Sequence, residues 1–356
     1  MITPLLQNIL NQPEALRLIG EHQFGPGLDA LGEAAEILRS KKRVVLSGMG
    51  ASQFACTPFC YALAGRGRPV MSIETSELLY FWPSLVDRDT AVILVSRSGE
   101  SVEVVRLLAQ VKESGAAVVG IVNVADSTLG AEAKPAIVMN SPADQLVAIQ
   151  TYTATVVVFA LLEAAMFGEL EQAKAELEKT TELFAKLVPE CVYASEQWRG
   201  FLDGEQPVYI LGRGAALGAV SEGALLMHET AKSPAVGMSI AQFRHGPVEV
   251  TDRRFRGIVI GTQPATVGLD AALAVDLGKM GGQVRWIGPE VDGVPVEPLI
   301  PWPKDMPRRF AAALETIPLQ LAAYRKAELR GIVPGDFRWA PAITRTEAGF
   351  GIPGSS

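Results

Sequence analysis

The chain has 356 residues, 48% of them hydrophobic and 20% charged, with a net charge of −7. That is length for about two domains of roughly 150 residues each, with enough apolar material to exclude a disordered chain. The basic residues are scattered, which excludes a nucleic-acid stripe and a polybasic membrane anchor.

The opening stretch "MITPLLQNILNQPEALRLIG" has no basic region ahead of an apolar run, so no signal peptide is expected. Residues 1–35 read as helices. Four β-branched runs follow, "RVVLSG" (43–48), "TAVILVS" (90–96), "AAVVGIVN" (116–123) and "PAIVMNS" (135–141), each bounded by Gly, Pro or Ser. Runs of this kind read as parallel strands covered on both faces. The segment "TYTATVVVFALLEAAMFG" is too short for a convincing membrane span and reads as a buried helix. A charged, helix-periodic stretch at 168–200 comes next as a connection. Then a second set of runs begins, at 207–212, 256–262, 283–289 and 296–302 ("VEPLIPW"). Its starts lie 164, 166, 167 and 161 residues after those of the first set, which reads as one unit used twice. Residues 336–356 form a Gly/Pro-rich tail.

The expected fold is therefore α/β. Two tandem, doubly wound units at 36–167 and 201–335 each carry a mostly parallel sheet flanked by helices. Cys56, Cys60 and Cys191 are few and odd in number. They fit a reducing cytoplasm rather than a disulfide framework. No further Cys or His near Cys56 and Cys60 completes a metal site.

An open parallel sheet binds ligands beyond the carboxyl ends of its strands. After the first strand comes "SGMGAS", where Gly48 and Gly50 permit a tight turn and Ser52 offers a hydroxyl at a helix start. After the second comes "SRSGES", with Ser96, Ser98 and Ser101 around Gly99 and a charged donor at Arg97. Either loop alone reads better as caps and turn residues. The two together, in register with the strands, favour a phosphate. The second unit keeps a similar first loop, "LGRGAALG", but has no serine cluster in its second.

Two of the three histidines fall in "MHETAKSPAVGMSIAQFRHGP" (227–247). Glu222 and Glu229 are expected on one face of a helix. "SPAVGMSIAQFRHGP" is expected to be an irregular crossing segment ending at His245-Gly246-Pro247. A carboxylate and an imidazole suit proton transfer between C1 and C2 of a sugar and opening of its ring. The same spacing fits a solvent-facing glutamate and a histidine capping a turn, and spacing alone leaves both open.

"GMGAS", "VSRSGES", "LGRG…SEGALLMHE" and "FRHGP" together resemble the paired sugar-isomerase (SIS) domains of the isomerase half of glucosamine-6-phosphate synthase. They are similar also to SIS-type phosphosugar isomerases, aminosugar-phosphate deaminases and fructosamine-phosphate deglycases. The resemblance covers about residues 30–346. It implies a phosphate site at Ser52, Ser96, Arg97, Ser98 and Ser101, with Gly50, Gln150 and Ala342 as further substrate contacts. It implies Glu229 as the proton shuttle. His245 is implied as the ring-opening group, reaching into the neighbouring subunit's site in a homodimer. The implied ligand is a phosphorylated sugar, with no metal, no organic cofactor, no nucleic acid and no membrane. A glutaminase domain is not expected, since the chain starts directly before the isomerase region.

Three positions depart from the synthase. Its C-terminal lysine aligns with Ala342, its helical lysine with Leu226, and the lysine of its "VASTK" stretch with Gln150. Arg97 stands where the synthase has glutamine, either to meet extra negative charge on the substrate or to pair with Glu100 or Glu103. The implied activity is hexose 6-phosphate isomerisation or aminosugar-phosphate deamination. The alternatives are a fructosamine 6-phosphate deglycase and a non-catalytic sugar-phosphate sensor.

Overall fold

Val, Ile and Leu fill the run Thr90–Ser96, and in the computed structural model it is a strand buried along its whole length. The structure describes residues 2–294, 298 and 302–348. The chain divides into two compact units. One is Ala15–Lys174 together with the stretch starting at Asp336. The other is the N-terminal stretch up to Glu14 together with Ala175–Gly335.

Three helices come first, α1 (Pro4–Leu10), α2 (Gln12–Gln23) and α3 (Leu28–Ser40). The first sheet contains β1 (Arg43–Gly48), β2 (Val70–Ser72), β3 (Thr90–Ser96), β4 (Ala117–Val122) and β5 (Ala136–Val138). All are parallel, in the order β2-β1-β3-β4-β5. The helices of this unit are α4 (Ala51–Gly65), α5 (Thr75–Tyr80), α6 (Val102–Glu113), α7 (Thr128–Glu132) and α8 (Gln150–Phe167). Every residue of α8 from Gln150 to Met166 is buried. It is long and apolar enough to cross a membrane by length and composition, yet it is a core helix of this unit, packed against α3 and α4. Burying each side chain of Leu or Val size contributes about 1.5–3 kcal/mol.

α9 (Leu170–Ala194) carries the chain towards the second unit and is followed by α10 (Arg199–Leu202). The second sheet contains β6 (Val208–Gly212), β7 (Ala235–Ser239), β8 (Arg256–Ile260) and β9 (Gln283–Ile287), again all parallel, in the order β7-β6-β8-β9. Its helices are α11 (Leu217–Ala231), α12 (Ile240–Arg244), α13 (Val267–Lys279), α14 (Ala311–Glu315) and α15 (Ile317–Leu329).

The apolar runs at 43–48 and 90–96 coincide with β1 and β3, while those at 116–123 and 135–141 are trimmed at their ends. Two strands escape the apolar-run criterion. β2 is a three-residue edge strand, and β7 lies inside the segment expected to be irregular. Both pair on one side only and neither is fully buried, so their sequences need no continuous apolar run. The run at 296–302 lies outside the described residues except for Pro298 and Trp302; Pro298 bridges in parallel to Trp286.

In the first sheet, β1 leads through α4 to β2 on one side, and β3 leads through α6 to β4 on the other. The strand order reverses between β1 and β3, so a crevice opens beyond their carboxyl ends. The same reversal lies between β6 and β8.

Candidate active site

Gly48 and Val95 are register partners, so the loops after β1 and β3 emerge side by side. Gly50 precedes α4 with φ 52°, a left-handed value that suits glycine. Ser52 stands in the first turn of α4, half-buried.

Ser96 ends β3 and is 3% exposed. Its hydroxyl lies 3.3 Å from that of Ser101 and accepts the Gly99 N–H at 3.1 Å. The Ser98 hydroxyl accepts from the Glu100 N–H at 3.2 Å. Gly99 holds φ 67°, and a β-carbon there would fall 1.9 Å from the Ser127 hydroxyl oxygen. The loop is thus pressed against the start of α7. Ser101 precedes α6, but its side chain caps nothing in the helix. The Val102 N–H at the helix start donates to the Thr344 carbonyl at 3.1 Å. Serine hydroxyls and the positive end of a 12-residue helix make this an anion-receiving surface.

Arg97 does not pair with Glu100 or Glu103. Its guanidinium donates to the Leu146 carbonyl at 2.9 Å and the Ala342 carbonyl at 3.4 Å. Glu100 instead accepts from the Thr128 N–H at 2.6 Å and the Thr128 hydroxyl at 3.1 Å, and Arg345 approaches it at 4.0 Å. The C-terminal stretch therefore lies across this loop. Arg106 holds it at Glu347 with an ion pair of 2.7 Å, and Tyr80 donates to the same carboxylate.

The loop before α8 holds a residue that the sequence reading missed. The Asp144 carboxylate, 8% exposed, accepts from the N–H groups of Ile149, Gln150 and Thr151 at 2.9–3.0 Å and from the Thr151 hydroxyl at 2.6 Å. The N-terminus of α8 is filled by this internal anion. Gln150 is buried with its amide donating to Asp144 at 3.3 Å. Asp144 lies six residues ahead of α8, outside the spacing of a local cap, so no short pattern reveals it.

Glu229 and His245 belong to the second unit. Glu229 is half-buried in the last turn of α11, and Glu222 on the same helix is fully buried. α11 ends at Lys232, held at φ 51°, whose ammonium donates to the Glu229 carbonyl. His228 is exposed and accepts the Ala235 N–H at 3.3 Å. His245 is exposed, immediately after α12. Glu229 thus precedes β7 along the chain, and His245 follows it after α12. Glu229 also stands at the amino end of its sheet, where the carboxyl-edge rule gives no reason to look. Among the described residues, no three His, Cys, Asp or Glu side chains are grouped to hold a metal ion.

Residues 37–165 match the SIS domain family. The chain is homologous to part of the glutamine–fructose-6-phosphate aminotransferase (isomerizing) of Pyrococcus horikoshii, at 29% identity over 347 residues, covering 93% of this chain and 55% of that protein. It spans about half the length of the curated relatives it matches. Among solved structures, it resembles a glucosamine-6-phosphate deaminase from Thermotoga maritima, with TM-score 0.74 and 20% identity over 96% of this chain and 99% of that one. It resembles also a tagatose-6-phosphate ketose/aldose isomerase from Escherichia coli, with TM-score 0.77 and 19% identity over 94% and 96% of the two chains. At these identities the structural likeness shows the fold.

Proposed function

We propose that the protein is a cytoplasmic, homodimeric SIS-family enzyme that interconverts hexose 6-phosphates or deaminates an aminosugar phosphate. The observation that carries this reading is the hydroxyl cluster over the start of α6, with Ser96 and Ser101 3.3 Å apart beside the Ser52 loop. Ser52, Ser96, Ser98 and Ser101 receive the phosphate, and Arg97 adds positive charge. Gly50 keeps the approach to the first loop open. His245 moves a proton between the anomeric hydroxyl and the ring oxygen, which opens the ring. Glu229 then takes the proton from one carbon and returns it to its neighbour, turning aldose into ketose. On a 2-amino sugar the same transfer gives an imine at C2, which water hydrolyses to the ketone and ammonia.

The exposed position of His245 just after α12 supports its acting on a second copy. The relatives' names, which include isomerases and a deaminase of sugar phosphates, support the substrate class. Three free cysteines, two of them buried, support a reducing compartment.

The test is exchange of solvent hydrogen at C2 of a hexose 6-phosphate. Wild type should exchange, and Glu229→Gln should lower the rate at least about a hundredfold with little change in phosphate affinity. Normal exchange in Glu229→Gln removes Glu229 from the mechanism. Binding without exchange in the wild type makes the chain a sensor. Release of an amino acid rather than ammonia selects the deglycase, a reading that the unpaired charge of Arg97 favours.

A further inference from the structure

We infer that Arg97 is a specificity-determining residue whose guanidinium receives a carboxylate on the substrate, in addition to the phosphate taken by the serines. This rests on the reading of the serine loops as the phosphate site. Among the described residues, no carboxylate lies within 4.0 Å of the Arg97 guanidinium. It is half-buried and fixed by two backbone carbonyls from remote segments, Leu146 and Ala342. Glu100, the nearest acid in sequence, is spent on Thr128 and Arg345. In the second unit, Arg213 follows β6 as the basic residue of its loop, and it is neutralised by the buried Asp270 at 2.7 Å. A partly desolvated charge held in one place without a counter-ion is costly. Arg97 therefore awaits an anion from outside.

The partners of the side chain say which anion. The hydroxyls of Ser96, Ser98 and Ser101 bond among residues 96–101 and gather against the start of α6. The guanidinium instead donates to the Leu146 carbonyl and to Ala342 in the tail. None of its hydrogen bonds is shared with the hydroxyl cluster, so we assign it to a second group on the ligand. Two of its five N–H donors are used and three remain. A planar fork of donors fits a carboxylate edge-on. The ligand class is thus a phosphosugar bearing a carboxylate substituent.

The experiment compares two probes by calorimetry, N-carboxymethyl fructosamine 6-phosphate and its carboxamide, with fructose 6-phosphate as reference. Wild type should bind the carboxylate at least about tenfold more tightly than the amide, as loss of a charge-assisted contact implies. Arg97→Gln should bring that ratio to about one, and Arg97→Lys should keep part of it. Because the readout is a ratio within each variant, a general weakening of the loop does not imitate it. Equal binding of both conjugates by the wild type, with fructose 6-phosphate still bound, overturns the role of Arg97 and leaves the phosphate site standing. A preference that survives in Arg97→Gln overturns it too. Failure of wild type to bind any of the three brings down the phosphate reading and this inference with it.

Discussion

Replacing Gly99 with Ala tests whether the serine loop is held by backbone geometry. Gly99 has φ 67°, and an added β-carbon would meet the Ser127 oxygen at 1.9 Å and its β-carbon at 2.5 Å. The left-handed conformation costs a residue with a β-carbon about 1–2 kcal/mol. Ser127 cannot yield freely, because its hydroxyl donates to the Val124 carbonyl at 2.6 Å and accepts the Gly130 N–H at 3.2 Å as the N-cap of α7. Displacing that cap costs about 1 kcal/mol, and residual overpacking adds about 1–3 kcal/mol. The smaller conformational freedom of alanine in the unfolded chain offsets about 0.4–1 kcal/mol. The net expectation is a loss of about 2–5.5 kcal/mol, read as a lower urea midpoint for the unit containing the first sheet. A loss below about 0.5 kcal/mol would refute the reasoning. A second variant separates the causes. Ser127→Gly removes both clashing atoms, so the double variant should be less destabilised than the sum of the singles by about 1 kcal/mol or more. Strict additivity would mean that the contact with Ser127 does not set the loop.

Two further outcomes follow from buried carboxylates. Asp144→Ala deprives three N–H groups at the start of α8 of their acceptor, and orphaned buried donors cost about 1–3 kcal/mol each; a destabilisation of at least about 2 kcal/mol in urea is expected, and less than about 1 would show that α8 does not depend on this anion. Glu315 is 1% exposed, and burial pushes its carboxyl from an ordinary 4.5 up to about 7, with the Thr262 hydroxyl pulling it partly back. Between those two values the unfolded chain has released a proton that the folded chain keeps, so this residue makes stability fall as pH rises from about 4.5 to 7. Glu315→Gln should flatten that fall in unfolding free energies measured across the window, and identical slopes in the two proteins would refute the assignment.

The sequence by itself determined the parts that depend on short-range chemistry. Continuous β-branched runs marked β1 and β3 to the residue, because a strand buried on both faces needs an apolar residue at every position. The serines of 96–101 could be read because a helix start and a Gly at positive φ leave a local signature. Edge strands carry no such demand, so β2 and β7 were invisible as apolar runs. Tertiary structure alone decided which distant groups meet. Leu146 and Ala342 reach Arg97 from 49 and 245 residues away, and only their arrival shows that Arg97 is not spent on Glu100. The fold also put a paired strand, β7, into the 16 residues between Glu229 and His245, where the sequence suggested an irregular crossing. Sequence spacing sets distance only along one element; where the chain turns into a strand and back, the direction of each element decides, and that is set by pairing with β6 rather than by the residues in between.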